Sequence, residues 1–83
     1  MKREFSIAFG KALADVIRDT GHTQKEVTDV LCMQSADLTR KLHHGRVFTV
    51  DEFVAVCDFL EMDYSTAVSI AKYYGRRKEN DNG

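Results

Sequence analysis

Residues 23–42 read TQKEVTDVL, then CMQ, then SADLTRKL. Thr23-Gln24-Lys25-Glu26 has the form of a capping box, in which Thr23 accepts from the backbone and Glu26 reaches back, so a helix start is written here. Val27, Val30 and Leu31 follow at i, i+3, i+4 and form one apolar stripe. The second segment offers only Leu38 and Leu42 to a core, while Ser35, Asp37, Thr39, Arg40 and Lys41 are polar. A helix that is polar on most sides is held by its neighbour and turns its outer face to something else. These spacings predict helices over Gln24–Leu31 and Ser35–His43 joined by three residues.

Two short helices with so brief a connection, the second one polar, have the outline of a helix-turn-helix, whose second helix enters the DNA major groove. Upstream, Phe5, Ala8, Phe9, Ala12, Leu13, Val16 and Ile17 keep a 3–4 spacing, which predicts an amphipathic helix over about Arg3–Thr20. Gly21 ends it as a residue free to take positive φ. Downstream, Gly45–Phe48 reads as an extended link whose Val47 and Phe48 fold back over the bundle. Thr49-Val50-Asp51-Glu52 then opens a helix to about Leu60, with Phe53, Val54, Cys57 and Leu60 inward. Asp63 can cap a fifth helix from Tyr64 to about Tyr74, with Ala67, Val68 and Ala71 inward. Residues 1–75 thus form one domain, with the helix-turn-helix at 23–43. Residues 76–83 (RRKENDNG) contain no apolar side chain and read as a disordered tail.

Across residues 5–68 the order of these features resembles the lambda-repressor-like (Xre/Cro) helix-turn-helix family, in particular its small phage immunity repressors and Cro-like regulators. The resemblance implies an all-α, five-helix domain that binds a near-palindromic operator in double-stranded DNA and regulates transcription. Three departures stand out. Thr28 replaces the usual Ala, Cys32 sits where Gly usually supplies positive φ, and Lys41 holds a late apolar position, with the following Gly displaced to Gly45.

Carried over residue by residue, the resemblance gives Gln24 a phosphate contact at the start of the second helix. Gln34, Ser35 and Ala36 fall at the entry of the third, where family members touch base edges. Ser35 is undiscriminating, Ala36 can meet a thymine methyl, and Gln34 can pair with adenine unless it caps the helix. Asp37 can accept from a cytosine amino group or stabilise the helix start. Arg40 is the candidate for guanine, with Thr39 beside it on the same helix. Lys41, His43, His44 and Arg46 read as backbone contacts that fix register. Ile70 and Tyr73 fall at i, i+3 on an outer face of the fifth helix. They are the candidate homodimer interface, in a region through which the family often pairs.

Composition limits the alternatives. With 83 residues, 43% hydrophobic and 30% charged, the chain supports one modest core. No run approaches the ~18 apolar residues of a membrane span, and the N-terminus is spaced helically rather than as a signal peptide, so a cytoplasmic protein is expected. Net charge is only −1, but it is unevenly distributed. Residues 38–50 hold Arg40, Lys41 and Arg46 with no acid, while residues 51–71 hold Asp51, Glu52, Asp58, Glu61 and Asp63 with no base. Such a dipolar molecule can turn a positive face to phosphate. Cys32, Cys57, His43 and His44 lack metal-site spacing, so no metal or cofactor is expected. No phosphate loop or nucleophile motif is present, and a non-enzyme is expected. Two rivals keep the fold with another partner: a protein-binding adaptor and an antitoxin.

Overall fold

The computed structural model describes residues 2–82, with side chains from Lys2 to Arg76. It consists of five helices: α1 (Arg3–Thr20), α2 (Gln24–Leu31), α3 (Ser35–His43), α4 (Val50–Phe59) and α5 (Tyr64–Asn82). No strand occurs among the described residues, and no helix among them is long and apolar enough to cross a membrane.

The helix starts are chemical. Thr23 N–H donates to Glu26 Oε1 at 2.8 Å and Glu26 N–H donates to Thr23 Oγ1 at 3.1 Å. Thr49 and Glu52 repeat the arrangement at α4, at 2.8 and 3.1 Å. The Thr23 N–H, with His22 beside it, holds the Glu26 carboxyl below its ordinary range. Gly21 ends α1 at φ 79° and its N–H donates to Arg18 O.

α1 lies against both α5 and α3, and α2 packs on α4 and α3. Phe9, Leu13 and Ile17 of α1 meet Val27, Leu38, Leu42, Phe53, Val56 and Ala67 in one buried cluster. Phe48, on the α3–α4 link, is fully buried, its ring 5.2 Å from Phe9, while its neighbour Val47 remains 39% exposed. The Phe48 N–H donates to buried Ser6 Oγ at 2.7 Å, so the link is stapled to α1. At Gly10, α1 approaches the backbone of α3 closely: a Cβ there would lie 2.5 Å from Lys41 O.

Two expectations change. α5 continues through residues 76–82, beyond the end expected at Tyr74 and into the stretch read as a disordered tail. No Pro interrupts it, and Arg, Lys and Glu are good helix formers. Of the pair assigned to an outer face, Ile70 turns partly inward. It borders a narrow apolar gap with Leu13 and Val16 of α1 and Val56 of α4, leaving Tyr73 outside at 60% exposure. Tyr74, the next residue, turns to α1 and donates to Asp15 Oδ2 at 2.7 Å.

Candidate nucleic-acid interface

α2 leads into α3 through Cys32, Met33 and Gln34. The reversal needs a left-handed residue, and Cys32 supplies it at φ 53°, ψ 45°, a conformation that is strained for a residue with a Cβ. Its N–H donates to Asp29 O and the Met33 N–H to Thr28 O at 3.1 Å, closing the last turn of α2. Met33 packs half-buried against the core. Thr28, despite its hydroxyl, is buried at this junction because Oγ1 donates to Lys25 O at 2.8 Å.

α3 is anchored along one side by Leu38 and Leu42, at 0% and 2% exposure. Gln34, Ser35, Ala36, Arg40 and His43 are exposed, as is Gln24 at the start of α2. Gln34 makes no side-chain capping bond, so its amide is not engaged at the helix start. Asp37 does not cap either. Its carboxylate accepts from Arg40 Nη1 at 3.1 Å, a half-exposed pair one turn apart. The acid therefore tethers and partly neutralises the guanidinium that was the candidate for guanine. His43, His44 and Arg46 are exposed where α3 leaves for the link, with the two imidazole rings 6.5 Å apart. Gly45 between them takes φ 75° against Ile7 of α1.

Lys41 is a correction. Instead of facing phosphate it is buried at 8% exposure. Its ammonium donates to Val47 O at 2.8 Å and Glu52 Oε1 at 2.9 Å, and sits 5.5 Å from the centre of the Phe48 ring. Burial pushes the Glu52 carboxyl up, but the Thr49 N–H and the Lys41 ammonium outweigh it and hold the group below its ordinary value. Thr39 is half-buried, and its Oγ1 donates to Ser35 O at 3.0 Å within the helix. Eight of the ten candidate DNA residues remain at the surface: Gln24, Gln34, Ser35, Ala36, Arg40, His43, His44 and Arg46.

Reading the sequence missed Glu52 as the partner of Lys41, along with buried Ser6 and Gly10. The signal for Glu52 was available, since a capping-box carboxylate is fixed in place and can take a second donor. No group of three or more His, Cys, Asp or Glu suited to a metal occurs among the described residues. Cys57 is buried, and burial, with Asp58 adjacent, pushes its thiol up, which suits a small apolar filler. Compared with protein-family models, curated proteins and solved structures, the chain matches none.

Proposed function

We propose that this chain is a sequence-specific double-stranded DNA-binding regulator of transcription, of the phage-repressor or Cro-like kind, acting in the cytoplasm. In this reading α2 and α3 are a lambda-repressor-like helix-turn-helix. The observation that carries it is the division of α3 into two sides. Leu38, Leu42 and Lys41 tie the helix into the bundle, while Gln34, Ser35, Ala36 and Arg40 stand exposed beside the flanking His43, His44 and Arg46. Gln34, Ser35, Ala36 and Arg40 meet base edges, and Gln24 and Arg46 fix register on phosphate. Two copies pair through the exposed Tyr73 face of α5, setting their α3 helices about 34 Å apart on a near-palindromic operator.

Selection of genomic fragments by the purified protein, with a salt titration of the selected site, tests the reading. Arg40→Ala weakens that site by about 1–3 kcal/mol and relaxes preference at one base, whereas Arg46→Ala weakens all sequences alike and lowers the salt slope by about one. If no fragment is enriched at low salt, the protein-binding adaptor is the better account. The Asp37–Arg40 pair and the net charge of −1 favour that second reading.

A further inference from the structure

On the side of α1 that meets α5, a groove of about 430 Å³ runs between the N-terminal half of α1 and the Ala71–Arg76 stretch of α5. Phe5, Ile7 and Ala71 contribute an apolar floor. Lys2, Lys11, Lys72 and Arg76 line it, with Glu4 the one acid among them. None of the four cations forms an ion pair among the described residues. The floor and the clustered charge together fit an acidic surface carrying an exposed apolar group.

The chain has such a surface along α4 and the start of α5. Asp51 and Asp58 lie two turns apart on one side of α4, and both are exposed, as are Glu61 and Asp63 just beyond. No base pairs with these four among the described residues. Tyr64 stands beside them, 48% exposed, with its hydroxyl held by Asp58 Oδ1 at 3.0 Å. Phe53 lies between Tyr64 and Phe5, with ring centres 6.4 and 6.2 Å apart, so the two patches adjoin, yet among the described residues no groove cation pairs with a carboxylate of the shoulder in the same copy. We propose that the groove receives the Asp51–Asp58–Tyr64 shoulder of a second copy of this chain. Because the two patches adjoin, each copy can give its shoulder to the groove of the other, so that the contact is made twice about a twofold axis. Tyr64 covers the apolar floor and the carboxylates meet the lysines and Arg76.

The experiment is sedimentation in a Tyr73→Ser background, which removes pairing through the outer face of α5 and requires no DNA. This parent protein self-associates with concentration, and the association weakens as salt rises. Lys72→Glu/Arg76→Glu disables the groove and Asp51→Asn/Asp58→Asn disables the shoulder. Each weakens association by about tenfold or more, as loss of charge complementarity at an interface does, with the helical circular dichroism unchanged. Mixed in equal amounts, the two variants form a 1:1 dimer and nothing larger, because each supplies the one surface the other lacks. A parent that stays monomeric at high concentration and low salt overturns the proposal, and so does a mixture that yields no dimer. If Lys72→Glu/Arg76→Glu leaves self-association intact and weakens only DNA binding, the groove serves nucleic acid and the proposal fails.

Discussion

Lys41 stands among Leu38, Leu42 and Phe48, and its ammonium is surrounded by a carbonyl, a carboxylate and an aromatic face. A buried pair of this kind adds little over an apolar substitute, yet breaking it from one side is costly because the other charge is stranded. Glu52→Ala also removes the reciprocal cap of α4, since the same Oε1 accepts from the Thr49 N–H. It is expected to cost about 2–3 kcal/mol, whereas Lys41→Met costs less, about 1 kcal/mol, because the Glu52 carboxylate keeps the Thr49 N–H and its side chain is 21% exposed, with urea midpoints as the measurement. The pH dependence follows from the lowered Glu52 value. Its folded pKa lies below the unfolded one, so its contribution is present above the ordinary carboxylate value and is lost as pH falls through the folded value. Glu52→Gln therefore flattens stability in the acid range, while the slope due to Glu26 persists. On the proposed DNA face, Asp37 would act in the opposite sense to Arg40. Asp37→Asn removes repulsion from phosphate and releases the guanidinium. Binding to non-specific duplex is expected to tighten, and discrimination at the base read by Arg40 to fall, as measured by competition with mismatched sites.

The helices were legible where the side chains name their own ends. Thr23–Glu26 and Thr49–Glu52 are readable as capping boxes because the donor and acceptor lie three residues apart in the chain, and both form. The Phe9–Leu13–Ile17 stripe is equally local. What the sequence hid depends on approach between helices. Gly10 is one residue beyond Phe9 and reads as a weak point of α1. In the folded chain it is where the backbone of Lys41 comes close enough that a Cβ would sit 2.5 Å from a carbonyl oxygen. Gly10→Ala gains up to about 1 kcal/mol of helix propensity, but the neighbour is backbone and cannot rotate away. Overpacking of about 1–3 kcal/mol prevails, and the thermal midpoint falls. Gly21→Ala meets open space, and only its left-handed φ of 79° opposes the change. It is expected to cost about 1 kcal/mol. A larger loss at Gly21 than at Gly10 would contradict the close approach of α1 and α3. The inward turn of Ile70 was hidden for a related reason. Spacing along α5 separates its faces, but which neighbour covers each face is set by the path of α1.

At the scale of the whole molecule, the α3–α4 link closes the bundle. Phe48 is fully buried against Phe9, and its N–H reaches Ser6 Oγ, 42 residues away in the chain. The sequence foretold that Val47 and Phe48 fold back, but only Phe48 is buried, because Val47 instead presents its carbonyl to Lys41. Two substitutions separate packing from hydrogen bonding. Phe48→Ala empties a large buried site and is expected to cost about 3–5 kcal/mol, comparable with the ~5 kcal/mol total of a small domain, so the variant should be largely unfolded. Ser6→Ala keeps the packing but leaves a buried N–H without its acceptor, costing about 1–3 kcal/mol. That variant remains folded, and hydrogen exchange at the Phe48 amide should accelerate far more than exchange in the middle of α1. The same link carries exposed Arg46 next to α3, so loosening it also loosens the positioning of the phosphate contact proposed for Arg46. Ser6→Ala is therefore expected to weaken binding to specific and non-specific duplex together, while Arg40 still discriminates its base. Exchange at Phe48 that does not change in Ser6→Ala would mean that the link is held by the ring alone.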